Sequence, residues 1–313
     1  MIELTPSYLR APAQPVQVHR VAVVTDSASD LSVEEARALG AYVVPAIIFF
    51  GSTSYRDGVD LTSEQFFQAL GQTADLPRTM PADVTTFVAT YMRLLGGGAS
   101  AVLSIHTSSE LSGALANARQ AIQVISRQLG APAPIVTLDS RQGGAGVLPA
   151  VRLAAQMAQV GAPIDVITTA VQERLTRIRM YFLVETLEYL QRGGRIGRAQ
   201  RLLGTLLDAK PILTVQDGVV APVEVPRPRE RSYERLLELV GDLGSIEELY
   251  IGQTSDALGQ EMVERLSRVY QGPIYRRWVG PGVGVHMGKG VAITTVLAGP
   301  SGGHFLMPEP RRH

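Results

Sequence analysis

The chain has 313 residues, 45% of them apolar, enough for a sizeable core in one large domain or two of ordinary size. Lys plus Arg and Asp plus Glu number 29 each, and this zero formal charge argues against a general nucleic-acid binder, which carries a basic excess. Cysteine is absent, which excludes disulfides and thiolate metal sites and fits a reducing, cytoplasmic setting.

Residues 1–20 contain no basic segment followed by an apolar one, so they read as a loose arm and not as a signal peptide. "VAVVTDSASD" begins as a buried strand and ends in a polar turn with Asp26, Ser27, Ser29 and Asp30. Ser32 is placed to cap a helix over "VEEARALG", whose Glu34 and Glu35 suit the positive end of the helix dipole. "AYVVPAIIFF" is the next strand. Its apolar run falls far short of the roughly 20 residues of a membrane helix, and Pro45 breaks it, so no stable membrane insertion is expected. The strand, turn, helix order recurs in "ASAVLSIHTSSELSGALANARQ" and in "APIVTLDSRQGGAGVLPAVRLAAQ". Such alternation predicts a parallel sheet with helices on its faces and ligands beyond the carboxyl ends of its strands.

After Gly161 the pattern changes. A helix over "IDVITTAVQERLTRI", a strand over "RMYFLV" and a short helix over "TLEYLQR" precede two strands joined at Asp217-Gly218, a strong hairpin signal. Two helix–strand pairs and the closing strand "GVAITTVLAG" follow. The expected fold is α/β and two-lobed. An N-terminal lobe over 21–165 carries a parallel sheet flanked by helices, a mixed α+β lobe spans 166–300, and 301–313 form a tail.

Four stretches carry chemistry. "SIHTSSELSG" sets hydroxyls between a strand and a helix, where free amide N–H groups attract an anion; Ser112 and Gly113 sit near the helix start, and Ser108 or Ser109 can serve as its cap. "LPRTMPAD" is a proline-flanked turn holding Thr79. "GVHMGKG" places His286 in a glycine-rich turn that permits close approach. "LEYLQRGGRIGRAQ" breaks a helix at Gly193-Gly194 and surrounds the break with Arg192, Arg195, Arg198 and Arg201, either a solvated face or a surface for an anionic partner. "DSRQGGAGV" lacks the spacing of a nucleotide-binding glycine loop, and no hydrolase elbow, P-loop or zinc-protease motif is present. No metal-ligand spacing appears among the five histidines.

Taken in order, "VTDSASDL", "YRDGVDL", "RTMPAD", "SIHTSSELSG", "TLDS", "LEYLQRGGRIG", "LLDAKPIL" and "GVHMGKG" resemble the DegV family, the bacterial fatty-acid-binding proteins that serve fatty acid kinase. They span about residues 21 to 298. The resemblance implies one long-chain fatty acid in a buried apolar tunnel, no cofactor, no catalysis by the chain itself, and a separate ATP-dependent fatty acid kinase subunit as partner. It implies that Thr79, Ser112 and His286 hold the carboxylate, with Ser109, Gly113, Asp26 and Lys289 as possible support. Arg192, Arg195 and Arg198 then serve docking of the kinase, or Arg195 braces the lobes. The family's "HxGPG" reads "HMGKG" here, with Lys289 in place of proline; Ala114 and Gly144 replace a usual threonine and serine, and "IGQTSD" lacks a frequent histidine. Two other readings compete: a Ser/His hydrolase of acyl esters using Ser112 and His286, and a lipid-sensing regulator.

Overall fold

The computed structural model describes residues 20–72, 76–204, 210–228 and 230–298. The arm and the tail read from the sequence lie outside the described residues, apart from Arg20. In the first half the elements are β1 (Val21–Asp26), α1 (Val33–Leu39), β2 (Ala41–Val44), β3 (Ile47–Phe50), β4 (Thr53–Arg56), α2 (Ser63–Leu70), β5 (Arg78–Met80), α3 (Val84–Gly96), β6 (Ala101–His106), α4 (Ala114–Leu129), β7 (Ile135–Asp139), α5 (Leu148–Gln159) and α6 (Ile164–Thr176). Strands β2, β1, β6 and β7 form a four-stranded sheet in that order, with every pairing parallel. Residues alternate across β1. Val21 and Val23 pack with Val151, Ala154 and Ile167 of α5 and α6, while Ala22 and Val24 pack with Phe87 and Tyr91 of α3. Both faces are thus buried, as a parallel sheet requires.

The run read as one strand through Pro45 is two. Strand β2 stays in the parallel sheet, whereas β3 leaves it and forms a separate antiparallel sheet in the order β4, β3, β5. Proline has no N–H for a ladder and fixes its own φ, so the chain turns where the sheet has to end. The same small sheet takes up Thr79. That residue lies on β5, opposite Ile48, and not in an irregular turn.

The second half comprises β8 (Ile178–Val184), α7 (Glu188–Arg192), β9 (Ile212–Gln216), β10 (Val219–Glu224), α8 (Arg231–Gly241), β11 (Ile246–Gln253), α9 (Asp256–Leu266), β12 (Ile274–Trp278), α10 (Pro281–Met287) and β13 (Gly290–Leu297). Its sheet has six strands in the order β10, β9, β8, β13, β11, β12. All pairs are antiparallel except β11 with β12. The period of two on β8 again sorts the faces. Tyr181 and Leu183 point to a core with α8 and α9, while Met180, Phe182 and Val184 point to a second core shared with Ile48, Phe66 and Phe67 of the first half. The hairpin at Asp217-Gly218 turns through two left-handed residues, φ 53° and 83°, as its sequence predicts. The glycine-rich segment around His286 is helical. Pro281 stands in its first turn, and Gly288 ends it at φ 66°.

Candidate functional site

The polar turns after β1, β6 and β7 face the inner surface of the six-stranded sheet and enclose a cavity. It contains about 920 Å³ of empty space, part of it open to solvent. Most of the wall is apolar. Met180 and Phe182 of β8, Ala292 beside Phe182 on β13, and Val215 and Val220 of the hairpin line it.

Polar groups gather at one end. Thr79 Oγ1 lies 2.8 Å from Nε2 of His286, which α10 brings in from across the chain. Ser112 stands at the entry to α4 and lines the same cavity. Its Oγ accepts the Ala114 N–H at 3.2 Å, which leaves its own O–H free to donate. Arg195 completes this end. Its Nε donates to the Leu111 carbonyl at 3.0 Å and its Nη1 to the Gly193 carbonyl at 2.6 Å, so it ties the loop after α7 to the turn after β6. Thr79, Ser112, His286 and Arg195, which are far apart in sequence, therefore share one cavity.

The glycine pair explains how His286 fits. A Cβ built on Gly193 would lie 2.2 Å from His286 Nδ1, so any side chain there would displace the imidazole, and Gly194 takes a left-handed φ of 68°. Burial, aided by the Arg195 charge, lowers the His286 pKa to about 4. The imidazole is neutral at physiological pH, and its Nδ1 is buried without a hydrogen-bond partner. A proton on Nε2 suits this setting. Nε2–H then donates to Thr79 Oγ1, and the threonine hydroxyl proton is released toward the cavity.

The remaining residues singled out from the sequence lie elsewhere. Asp26 is buried off the cavity. Its carboxylate accepts from the Thr107 N–H at 3.0 Å, the Thr107 hydroxyl at 2.9 Å and the Ala28 N–H at 3.2 Å, and pairs with His106 Nδ1 at 3.1 Å. Burial pushes the Asp26 carboxyl up, but the bonds from His106 and Thr107 outweigh it and hold the pKa below its ordinary value. Ser109 donates to Asp139 Oδ2 at 2.6 Å on the exposed surface. Ser108 donates to the Gly218 carbonyl, so neither serine caps α4, whose N-cap is Gly113, with no side-chain cap bond. Gly113 packs on Pro81, where a Cβ would stand 3.3 Å from the ring. Lys289 is exposed, with its ammonium near Gly71 past the end of α2 and not at the cavity. Arg192 and Arg198 are exposed and pair with Glu188 at 2.8 Å and Asp217 at 3.0 Å.

Two buried carboxylates escaped the sequence reading. Asp30 Oδ1 accepts the Gly280 N–H at 2.8 Å, and Asp57 Oδ2 accepts the Gly282 N–H at 3.1 Å, so the first half of the chain grips the first turn of α10. Burial raises the Asp30 pKa to about 8 and the Asp57 pKa to about 7. Gly282 is obligatory, since its Cβ would fall 2.5 Å from Asp57 Oδ2. Gly144 has a φ of 54°, and a Cβ there would press on Asp30 Oδ2 at 3.0 Å. "YRDGVDL" and "SASD" contain these acids, but a sequence does not reveal that an aspartate is buried against a glycine-rich helix.

A hydrolase would need Ser112 bonded to His286 and an acid on the other ring nitrogen. Among the described residues no hydrogen bond joins Ser112 to His286, and Nδ1 has no acid. The described residues also hold no cluster of three or more metal-ligating side chains. None of their helices is long and apolar enough to cross a membrane.

Residues 20–297 match the model of the DegV family. A DegV domain-containing protein of Halalkalibacterium halodurans is 31% identical over 279 residues, covering 87% of this chain and 96% of that protein. Among solved structures, a fatty-acid-binding DegV family protein of Thermus thermophilus superposes with a TM-score of 0.78 at 29% identity, over 89% of this chain and all of that one. DegV of Bacillus subtilis, described as a fatty acid binding protein, gives a TM-score of 0.80 at 27% identity, over 90% of this chain and all of that one. With the family model spanning nearly all of the chain and a relative 31% identical over 87% of it, the chain belongs to the DegV family.

Proposed function

We propose that the protein is a carrier that binds one long-chain fatty acid, tail in the cavity and carboxylate at Thr79, Ser112 and His286. The observation that carries this reading is a mostly apolar cavity lined by Thr79, Ser112 and His286, with the Ser112 hydroxyl free to donate. A buried carboxylate is costly unless hydrogen-bonded. Thr79 and Ser112 supply charge-assisted bonds, and His286 orients Thr79. Each buried methylene adds about 0.8 kcal/mol, so the tail sets affinity and the head sets orientation. The fatty-acid-binding relatives from Thermus thermophilus and Bacillus subtilis support the ligand class.

The chain does no chemistry of its own in this reading. A carboxylate oxygen attacks the terminal phosphorus of ATP held by a separate fatty acid kinase subunit; the new O–P bond forms as the bond to ADP breaks, and no proton is required. The kinase docks on the exposed face that carries Arg192 and Arg198, while Arg195 keeps the lobes braced. The setting is cytoplasmic.

Native mass spectrometry of protein from its own host, followed by lipid extraction, tests the ligand. The expected result is one fatty acid per chain. A lipid-free chain that also fails to bind palmitate or oleate would falsify the reading. With lipid bound, Arg192→Glu/Arg198→Glu should abolish acyl-phosphate formation by the cognate kinase, and unchanged turnover would remove that docking face.

A further inference from the structure

A carboxyl group lines the cavity apart from the Thr79 cluster. Asp30 is buried, at 8% exposure, and borders the same hollow beside Gly144, Ala145 and Val283. Helix α10 fixes its distance from the head end. The N-cap of that helix, Gly280, gives its N–H to Asp30 Oδ1 at 2.8 Å, and His286 in the last turn meets Thr79 at 2.8 Å. Six residues of helix separate Gly280 from His286, about 9 Å at the rise of an α-helix. Val279, Gly282, Val283, His286 and Met287 all line the cavity, so it follows α10 from one end to the other.

The carboxyl has capacity beyond its bond to Gly280. The Ala145 N–H also supports it. Two N–H donors leave about half of a carboxyl's acceptor sites unused. Burial lifts its pKa to about 8, so near neutral pH it also carries a proton to donate. Gly144 leaves the second oxygen uncovered on its side. A Cβ there would stand 3.0 Å from Asp30 Oδ2 and 3.5 Å from Val283 Cγ1. A saturated chain offers this group nothing, because methylenes neither accept nor donate. A hydroxyl does both, and it is costly to bury without a partner.

Building on the fatty-acid reading above, we propose that Asp30 is a second polar contact in the cavity, where the protein accepts fatty acids that carry a hydroxyl near the middle of the chain. The ligand's carboxylate lies at Thr79, Ser112 and His286, and its chain runs along α10. The hydroxyl meets Asp30 Oδ2 while Oδ1 keeps hold of Gly280. A long acyl chain extends well beyond the span of α10, so its middle and not its tip reaches Asp30. Contact works in either protonation state, since a neutral carboxyl donates to the hydroxyl and an ionised one accepts from it.

The test is a positional scan by titration calorimetry on the purified wild-type chain, with stearate and with stearates hydroxylated at the eighth, tenth or twelfth carbon. One of the three should bind at least as tightly as stearate, whereas a hydroxyl buried without a partner weakens binding by about tenfold or more. Gly144→Ala then places a methyl over Asp30 Oδ2 and leaves the carboxyl in place. It should weaken the best hydroxystearate by about tenfold and stearate by less than about threefold. The contact is refuted if all three hydroxystearates bind wild type about tenfold or more weaker than stearate, or if Gly144→Ala leaves the ratio of the two affinities unchanged. The wild-type scan decides alone if Gly144→Ala proves unstable. Failure of stearate itself to bind wild type would instead overturn the fatty-acid reading beneath it.

Discussion

Two polar clusters sit at the strand ends, and from sequence they look the same. Around Asp26, the network closes on itself: His106 Nε2 meets Ser104 Oγ at 2.8 Å, Ser104 accepts from Tyr91 at 2.8 Å, and Asp26 takes both bonds from Thr107. Around Thr79, polar groups are left over: the Ser112 hydroxyl is free to donate, and Nδ1 of the buried His286 has no partner. A closed network is scaffold, whereas an open one at an apolar cavity is prepared for a ligand. Chemistry is therefore read from what is left unsatisfied more than from which residue types are present.

Breaking the closed network should cost the most. Asp26→Ala strips partners from His106 and Thr107 and should destabilise folding by about 3–5 kcal/mol in a denaturant titration. A loss below about 1 kcal/mol would mean that the network is not scaffold. Breaking the open cluster should cost binding and spare the fold. Each of Thr79→Val and Ser112→Ala should weaken palmitate by about 1.5–3 kcal/mol, roughly 10- to 100-fold, with the midpoint of unfolding little changed. If stability fell as much as affinity, the contrast between the clusters would disappear. Gly193→Ala tests the support beneath the open cluster. Its Cβ would displace His286, so about 1–3 kcal/mol of stability should be lost and palmitate affinity should fall with it.

Protonation sharpens the same contrast. Asp30 and Asp57 have folded pKa values of about 8 and about 7, against 3.8 for the ordinary carboxyl. Between those limits the folded chain holds protons that the unfolded chain has released. Their contribution is therefore complete below 3.8 and fades as pH rises toward 7 and 8, with a slope of up to about 1.4 kcal/mol per pH unit for each group. Asp26 works the other way, because its lowered pKa stabilises at neutral pH and that stability is lost on acidification. Asp30→Asn and Asp57→Asn should each flatten the loss between pH 3.8 and the folded values of about 8 and about 7 in pH-dependent melts, and an unaltered slope would show that neither acid titrates there. The smallest effect belongs to Lys289→Ala, which should leave palmitate affinity within about twofold. A tenfold change would extend the head-group site beyond the cavity.

The order of elements was legible because alternation at period two and helical caps leave marks in a single sequence. Val21–Val24 and Ser32 behave as read, and Asp217-Gly218 turns as read. Short elements were less legible. Pro45 marked a break but not a change of sheet, and the glycines around His286 suggested a turn where α10 is helical. Convergence of Thr79, Ser112 and His286 was reachable only through the ordered family motifs, because three single residues carry no record of their distance. The roles of Asp30 and Asp57 depend on packing by glycines more than two hundred positions away, and no local pattern encodes that.

The β9–β10 turn adds one more consequence. Its tip reaches across to the first half, where Ser108 donates to the Gly218 carbonyl at 2.8 Å and Arg141 to that of Asp217. The same ribbon supplies Val215 and Val220 to the floor of the cavity. Floor and tether are one rigid piece, so the floor drops only if the tether lets go. On the proposed lipid reading, the residence time of a bound acyl chain is set partly from a spot that the acyl chain never touches.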